Sequence, residues 1–386
     1  MRVMRLLSSL HHDDDERGVI AISRQLVRQG YASLVVSSTP ASHELAQRLC
    51  RDGSEYKSLY LAKQSWWSLW SAFGLARLIH QFRPDVIHVH SRTPAWVLKW
   101  ALELVPVALR PLTVGTIYGY YPSNAYNRAI FDCDHLIAVS DSVKVYILQY
   151  HERDPDSVTR VYRGVDTQRY LYRHTPSVHW LQQIFAEYPK LEHQKWLLFP
   201  SKIDHHKGQQ WLFDIVGNLR AQFPKIHVII MDDADADNNF VEEFVQRANA
   251  LDLMDYFTFI GRRDDGREWL SAANIVLGLA NQPESIGINV LKAIHLGTPV
   301  VAWARGVYNE ILTELYPEGL VYDINAITLC EVIAEQLTHK DRPAMPQNFS
   351  QKQSAREIVA VYEHMLKNLP SPAAKVSQTQ NEARLP

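Results

Sequence analysis

The sequence is poor in cysteine and carries almost no net charge. Its three cysteines, Cys50, Cys133 and Cys330, are far apart and lack the spacing of zinc ligands or of a disulfide framework. We therefore expect a protein of a reducing compartment, the cytoplasm. The 40 Lys and Arg residues nearly balance the 42 Asp and Glu residues. The net charge therefore does not favour nucleic acid or another polyanion as a partner.

A long hydrophobic run is also missing. The sequence has no stretch of about 18 consecutive apolar residues, and its first apolar run is too short for the hydrophobic region of a signal peptide. These features predict a protein that is neither secreted nor membrane-spanning. With 386 residues, the chain is too long for one hydrophobic core and suits two domains of roughly 170 to 190 residues each.

Short β-rich runs alternate with helical patterns in both halves of the chain. The expected strands lie at 3–8, 33–37, 86–90, 113–117 and 136–139, and then at 196–199, 227–231, 257–260, 275–279 and 299–303. Such alternation predicts parallel, doubly wound sheets. We therefore predict an α/β fold of two Rossmann-like β/α/β lobes that face each other across a cleft, with ligands bound at the carboxyl ends of the strands.

The same patterns give the expected boundaries of the lobes. We place the first lobe at 1–166, a helical connection at 167–194 and the second lobe at 195–350. An amphipathic C-terminal helix at 351–370 would pack back on the first lobe, and the polar residues 371–386 would form a disordered tail.

The most informative stretch is PESIGINVLKAIHLGTPVV, residues 283–301. It predicts an acidic turn that opens a buried helix, followed by a Gly-Thr-Pro turn and a buried strand. Glu284 offers a carboxylate there, and Ser285, Ile286 and Gly287 lie where the helix begins, so that unpaired amides and the helix dipole favour a bound phosphate. The structural alternative is an ordinary βα turn capped by an acid.

A second cluster of charge follows the first expected strand of the second lobe. The segment SKIDHHKG comes directly after Phe199 and places Lys202 and Lys207 five residues apart across a turn. Two ammonium groups at the carboxyl end of a strand would clamp a diphosphate. The structural alternative is a pair of solvated lysines on a loop.

These motifs resemble those of the family 4 glycosyltransferases. The donor-site signature of that family, P-E-x-F/I-G followed by an apolar helix and G-x-P-V-V, matches QPESIGINVLKAIHLGTPVV, and four further stretches match along nearly the whole chain: ERGVIAISRQLVRQGYASLVVSS, RPDVIHVHSRTPAW, AVSDSVKVYIL and YRGVD. The pattern is similar to the branch that builds lipopolysaccharide core or related surface glycans. The resemblance implies a GT-B fold with an acceptor-side lobe at 1–166 and a nucleotide-sugar-binding lobe at 195–350.

The resemblance also implies an activity and a set of partners. A hexosyltransferase would move a sugar, with retention of configuration, from a nucleotide-sugar donor to a lipopolysaccharide-core or other lipid-linked glycan. Lys202 and Lys207 would stabilise the departing nucleoside diphosphate, and Glu284 would accept hydrogen bonds from the hydroxyls of the donor sugar. We expect no nucleophilic side chain, no metal and no other cofactor.

The acceptor side would be lined from the first lobe. Ser91, Arg92, Pro94 and Trp96 follow an expected strand of that lobe, and simple packing is the alternative role for Trp96. Tyr118, in TIYGYY, occupies the position where the family commonly has a histidine close to the reacting sugar. A phenol donates a hydrogen bond but does not readily hold positive charge at neutral pH.

Three further positions depart from the family pattern. Lys292 occupies the position of the family's second glutamate, which would bind the nucleotide ribose, so the lysine would contact a phosphate or extend out of the helix. Asp13 to Asp15 and the pair Asp232 and Asp233 stand where glycines are usual. An acidic pair after a strand also suggests a bound metal, but the single-lobed fold that uses such a motif does not explain two β/α series.

The departures leave a second hypothesis open, a non-catalytic GT-B relative that acts as a scaffold or partner of an active glycosyltransferase. A phosphorylase is a weaker third hypothesis, since no signature of a lysine-bound cofactor is found. Tryptophans and basic residues at 63–83 and 94–112 suggest peripheral contact with the inner face of the cytoplasmic membrane, with core packing as the alternative.

Overall fold

The chain folds into two compact α/β units. The structure is a computed structural model that describes residues 1–8, 13–61, 67–122, 124–231, 238–339 and 342–368. One unit comprises 1–164 together with the chain from 350 onward, and the other comprises 165–349. The expected tail at 371–386 lies outside the described residues.

Unit 1 is built on a parallel sheet with the strand order β3-β2-β1-β4-β5-β6-β7 among the described residues. Its strands are β1 (Arg2–Leu7), β2 (Ala32–Ser37), β3 (Glu55–Ser58), β4 (Val86–Val89), β5 (Leu112–Ile117), β6 (His135–Ala138) and β7 (Val158–Arg160). Its helices in chain order are α1 (Asp13–Arg28), α2 (His43–Arg51), α3 (Trp67–Phe82), α4 (Arg92–Glu103), α5 (Ala125–Phe131) and α6 (Asp141–Tyr150).

The last described helix, Gln351–Asn368, also belongs to unit 1. Its buried face carries Ala355, Val359 and Tyr362, which pack in one cluster with Val3 of β1 and Leu26 of α1. Apolar residues at the spacing of one helical face explain this burial. Helix Gln351–Asn368 therefore packs against the first strand and the first helix, although it is far from them in the sequence.

Unit 2 repeats the architecture with the strand order β10-β9-β8-β11-β12-β13 in its described part. Its strands are β8 (Lys195–Phe199), β9 (Ile226–Ile230), β10 (Phe257–Phe259), β11 (Ile275–Gly278), β12 (Val300–Trp303) and β13 (Leu320–Val321). Its helices are α7 (Val178–Glu187), α8 (Trp211–Leu219), α9 (Asn238–Ala250), α10 (Gly266–Ala272), α11 (Ile288–Leu296), α12 (Gly306–Leu315) and α13 (Ala326–Thr338). The C-terminal helix of unit 1 is accordingly α14 (Gln351–Asn368).

The fold class predicted from the sequence is confirmed, since both units are Rossmann-like and every strand pair in them is parallel. The central strands are buried on both faces and are therefore mostly apolar, although β1 contains the buried Arg5 and β9 the buried His227. The expected strand runs overlap observed strands, with ends shifted by a residue or two.

The structure contains elements that the sequence did not indicate. Strand β3 has the sequence EYKS and lies at the edge of its sheet with mostly exposed side chains, so it has no apolar run to reveal it. Strand β13 has two residues. In the expected connection 167–194, α7 covers only Val178–Glu187. Within the described ranges, every helix is too short or too polar to cross a membrane.

Candidate functional site

Each sheet has a point at which its strand order reverses. The reversal lies between β1 and β4 in unit 1 and between β8 and β11 in unit 2. Chain connections leave such a point in opposite directions, which opens a crevice at the carboxyl ends of the two strands where ligands bind in doubly wound sheets. In unit 2, the loops that follow β8 and β11 carry the lysines and the glutamate singled out in the sequence.

The loop after β8 is held in shape by its own acid and by a glycine. The Asp204 carboxylate accepts hydrogen bonds from the backbone N–H groups of His206 and Lys207, at 2.8 and 3.0 Å. Gly208 has φ +84°, and a Cβ there would lie 1.8 Å from the carbonyl oxygen of Leu279. Only glycine permits this approach, so the loop is seated directly on the end of β11.

Lys207 and Glu284 meet across the two loops. Lys207 Nζ lies 2.8 Å from Glu284 Oε2, and the two side chains are 32% and 23% exposed. This contact joins two residues that are far apart in the sequence, and by itself it does not show a function. Lys202 lies half-buried on the same loop as Lys207 and forms no ion pair with any described residue.

Asn281 ties the loop after β11 to the loop after β8. Its side-chain amide donates to the carbonyl oxygen of His205 at 3.0 Å, and its side-chain oxygen accepts from Gln210 Nε2 and Trp211 Nε1 at 2.7 and 3.2 Å. Its backbone N–H donates to the carbonyl oxygen of His206 at 2.8 Å. The relative position of Lys207 and Glu284 therefore depends on a residue that sequence reasoning missed.

The start of α11 differs from the sequence expectation. The helix begins at Ile288, and Gly287 precedes it in the left-handed region with φ +59°. Ser285 and Ile286 therefore lie in the turn before the helix and not in its first turn. Asn289, in that first turn, donates from its side chain to the carbonyl oxygen of Pro200 at 2.9 Å, so α11 is also tied to the end of β8.

Lys292 is buried, and the expectation that it extends out of the helix into solvent is wrong. Its side chain is 8% exposed, and Nζ lies 5.3 Å from the ring centroid of Tyr170. A cation over an aromatic face is stabilised electrostatically.

A buried phenol, Tyr308, lies close to Glu284. Burial and then the charge of Glu284 raise the pKa of Tyr308 far above its ordinary value, so the phenol stays protonated beside the carboxylate.

In unit 1, two residues at neighbouring strand ends form a hydrogen bond. His90 follows β4 and Tyr118 follows β5, and His90 Nδ1 lies 3.0 Å from the hydroxyl of Tyr118. Burial, with smaller effects from the positive charges of Arg5 and Arg163, lowers the pKa of His90 to about 3. Tyr118, predicted for the acceptor side, therefore has a neutral imidazole as its neighbour.

The other acceptor-side residues predicted from the sequence hold the loops around α4 and α5. Arg92 donates to the side-chain oxygen of Asn127 at 3.1 Å, and its guanidinium lies over the ring of Tyr121. Trp96 is half-buried and packs against the rings of Trp100 and Tyr126. These contacts give both residues a structural role, and a role toward an acceptor stays a prediction. Ser91 is half-buried before α4, and Pro94 is buried within it.

Some predicted features lie outside what the structure describes. These are the acidic pair Asp232 and Asp233, the residues Lys63 and Trp66 and the side chain of Trp67 in the aromatic stretch, and the side chains of Asp13 to Asp15 at the start of α1. The sequence did hold one unused signal, the two histidines of VIHVH in and after β4. Because side chains alternate along a strand, His88 and His90 had to share one face of the sheet.

Two family models match this chain, one for each unit of the fold. Residues 16–169 match the model described as Glycosyltransferase Family 4, and residues 182–355 match the model described as Glycosyl transferases group 1. The matched ranges include the loops after β4, β5, β8 and β11. The loops described above are thus part of the matched domains.

Named relatives agree with the family models. Lipopolysaccharide core biosynthesis mannosyltransferase LpsB of Rhizobium meliloti (strain 1021) is 25% identical over 321 residues, which span 73% of this chain and 84% of LpsB. A glycosyltransferase from Rickettsia africae ESF-5 superposes with TM-score 0.78 at 19% identity, over 95% of this chain and 99% of that one. Anabaena Alr3699/HepE in complex with UDP and glucose superposes with TM-score 0.74 at 18% identity, over 94% and 100% of the two chains.

The structural likenesses are below 25% identity and bear on the fold, whereas the family models bear on the class of enzyme. Both agree with the two parallel sheets of the structure. The chain belongs to the family 4 glycosyltransferases and has their GT-B fold.

Proposed function

We propose that this glycosyltransferase moves a sugar, with retention of its anomeric configuration, from a nucleotide-sugar donor to a lipopolysaccharide-core or related cell-surface glycan. Unit 2 binds the donor, through the loops after β8 and β11 and the start of α11. The observation that carries the proposal is the contact of Lys207 with Glu284 at 2.8 Å, at the point of the sheet where ligands bind in this architecture.

The proposed reaction exchanges one bond at the anomeric carbon. The bond from this carbon to the diphosphate oxygen breaks, and the acceptor hydroxyl oxygen forms a new bond to the same face of the carbon. The proton of that hydroxyl passes to a phosphate oxygen of the departing nucleoside diphosphate. Lys202 and Lys207 stabilise the negative charge that grows on the leaving group, and such preorganised electrostatic contacts make large contributions to catalysis.

Glu284 and the turn behind it position the donor. The carboxylate accepts hydrogen bonds from hydroxyls of the sugar, and it also accepts one from the ammonium group of Lys207. The backbone amides of Ser285, Ile286 and Gly287 contact the phosphates from the turn that precedes α11. Lys292, buried behind this turn, adds positive charge on the donor side. The proposed donor site therefore needs no metal and no covalent intermediate.

The acceptor part of the proposal rests on unit 1 and on the relatives. Arg92, Trp96 and Tyr118 line the side of unit 1 from which the acceptor approaches. The name of LpsB describes a mannosyltransferase of lipopolysaccharide core biosynthesis, and the HepE complex contains UDP and glucose. A sugar nucleotide as donor and a surface glycan as acceptor are consistent with both.

A lipid-linked acceptor would bring the enzyme to the cytoplasmic face of a membrane, and α3 offers a surface for that contact. Trp70 and Phe73 are 73% and 62% exposed, Leu69 is exposed beside them, and Arg77 lies exposed one turn further along the helix. Exposed aromatic residues flanked by basic ones favour the membrane interface. We propose that this face of α3 binds the membrane surface peripherally.

Flotation with vesicles that contain phosphatidylglycerol tests the membrane contact. The variant with both Trp70→Ser and Phe73→Ser should float less than the wild type. The variant Tyr150→Ser removes an equally exposed aromatic from α6 and should float like the wild type. Equal flotation of all three proteins would refute the proposed surface.

Calorimetric titration with uridine and guanosine diphosphates tests the donor site. Lys207→Met should weaken binding of the preferred nucleotide about 10- to 150-fold, because a hydrogen bond to a charged group contributes about 1.5 to 3 kcal/mol. Lys190→Met removes a lysine from an exposed ion pair of the same unit and should leave the affinity unchanged. If neither nucleotide binds the wild type, the donor site is wrong and the non-catalytic scaffold becomes the better account.

A further inference from the structure

We propose that His90 is a positioning residue for Tyr118, and that the two side chains act as one unit on the acceptor side of the transfer. The inference rests on the proposed function, since it assigns the Tyr118 hydroxyl to the reacting acceptor. Its structural basis is the 3.0 Å hydrogen bond between His90 Nδ1 and that hydroxyl, together with the contacts that prevent the imidazole from moving.

The two residues are brought together by the register of the central strands. β4 and β5 are neighbours, with His88 opposite Val114 and Val89 opposite Gly115, and His90 and Tyr118 directly follow these strands. Both therefore lie at the carboxyl edge of the sheet. β4 is also one of the two strands at the reversal of strand order in unit 1, so the pair lies where a ligand would bind in this architecture.

The imidazole of His90 is fixed from below by a second histidine. The rings of His90 and His88 have centroids 4.0 Å apart. His88 is itself held at both nitrogens, by hydrogen bonds of 2.6 Å to the hydroxyls of Tyr362 and Thr116. His88 and Tyr362 are fully buried. A rotation of the His90 ring away from Tyr118 would therefore disturb the buried hydrogen bonds of His88.

The surroundings keep both histidines neutral. Burial is the largest cause, and the positive charge of Arg5 acts on both rings in the same direction, while Arg163 adds to the effect on His90. Arg5 is fully buried on the same face and donates to the carbonyl oxygen of Val19 at 2.9 Å. His90 therefore holds Tyr118 through a hydrogen bond between neutral groups.

A neutral imidazole has one donor and one acceptor nitrogen. Nε2 of His90 is buried and has no hydrogen-bond partner among the described groups. Because an orphaned buried N–H group is rarer than an unsatisfied acceptor, we assign the proton to Nδ1. His90 then donates to the phenolic oxygen of Tyr118. The proton of the phenol is therefore directed away from His90, and Tyr118 acts as a hydrogen-bond donor to the acceptor sugar or its reacting hydroxyl.

A double-mutant cycle on transfer kinetics tests the coupling. His90→Leu and Tyr118→Phe should each lower kcat/KM for the acceptor by about threefold to tenfold, the effect of one net hydrogen bond. The double variant should be no slower than the slower single variant, because His90 acts only through Tyr118. His90→Asn, which places a polar group near the position of Nδ1, should recover part of the loss. Additive losses, or no loss in His90→Leu, would overturn the inference.

Two further measurements separate this inference from the proposed function and from unfolding. Nucleoside diphosphate affinity, a property of unit 2, should be the same in the wild type and in His90→Leu. In nitrogen-15 spectra of histidine-labelled protein, the imidazole signal that is missing in His90→Leu should stay neutral and Nδ1-protonated from pH 8 to pH 5, and Tyr118→Phe should shift it. A protonated or tautomerically averaged His90 overturns the inference even where transfer is observed. Absence of transfer by the wild type overturns the proposed function, and the spectra still decide whether the pair exists.

Discussion

Removal of the Asn281 side chain should uncouple the two loops of the donor site. Asn281→Ala deletes three side-chain hydrogen bonds, one donated to His205 and two accepted from Gln210 and Trp211. A typical hydrogen bond contributes about 0.5 to 1.5 kcal/mol, and a buried donor left without a partner costs about 1 to 3 kcal/mol. Since Trp211 is only half-buried, we expect a total loss of about 2 to 4 kcal/mol.

Thermal unfolding of the full chain is the assay. For a domain of about 150 to 250 residues, each kcal/mol shifts the midpoint by roughly 2 to 4 °C, so the transition of unit 2 should fall by about 5 to 15 °C. Asn218→Ala is the matched control, because its side chain makes one exposed hydrogen bond within α8, to the carbonyl oxygen of Asp214. The control should lower the midpoint by no more than a few degrees.

Asn281→Asp gives a second test, because it keeps the acceptor oxygen for Gln210 and Trp211, loses the donor to His205 and adds a negative charge. Its midpoint should lie between those of the wild type and Asn281→Ala. Nucleoside diphosphate affinity should be lower in Asn281→Ala than in the wild type, since Asn281 fixes the loop that carries Lys207. If Asn281→Ala has the same unfolding midpoint as Asn218→Ala and binds nucleotide like the wild type, the coupling of the two loops is refuted.

Two predictions concern other determinants of stability. Gly287→Ala should destabilise unit 2 by at least about 1 to 2 kcal/mol in chemical denaturation, because Gly287 has φ +59° and a Cβ there would lie 2.9 Å from Val307. The control Gly217→Ala, in an open site on α8, should stabilise unit 2 by up to about 1 kcal/mol, and equal effects of the two variants would contradict the predicted strain at Gly287. Because the pKa of His90 is lowered to about 3, the contribution of His90 to stability should be complete above pH 6.5. It should fall at lower pH as this histidine gains a proton in the unfolded chain, with a loss on the order of 2 kcal/mol at pH 4.5. His90→Asn should flatten this decline in denaturation curves between pH 7 and 4.5, and an unchanged slope would contradict it.

The sequence was sufficient for the fold because its central strands are buried on both faces. Apolar runs such as the one that ends at Phe199 could only be strands or buried helices, and their alternation with helical patterns left a doubly wound sheet. It was not sufficient for β3, whose polar side chains are exposed at a sheet edge. Edge strands are stabilised by backbone pairing more than by burial, so composition does not reveal them.

The donor site was predictable in its charged residues and not in its geometry. Lys207 and Glu284 were identified by position after their strands, and the structure brings them into contact. Lys202 was identified by the same reasoning and forms no ion pair with the described residues. The difference depends on the course of one loop, which is fixed by Asp204 and by the contact of Gly208 with Leu279, and no periodic pattern encodes such contacts.

Two other residues show what a single sequence leaves open. Lys292 was expected to contact a phosphate or to extend into solvent, and the structure buries it over Tyr170; the partner lies 122 positions away, so no local rule gave it. No sequence motif gave a role to His90, which directly follows β4. Its importance follows from register, since β4 and β5 place it beside Tyr118.

The proposed donor site, formed by the loops after β8 and β11, can be tested by a transfer assay. The wild type, Glu284→Ala and Glu318→Ala would each be incubated with a panel of nucleotide sugars and a lipid-linked lipopolysaccharide-core acceptor. Glu318 is exposed elsewhere on unit 2 and serves as control. We expect transfer with retained configuration in the wild type and in Glu318→Ala, and loss of transfer in Glu284→Ala. The same background turnover in all three proteins would contradict it.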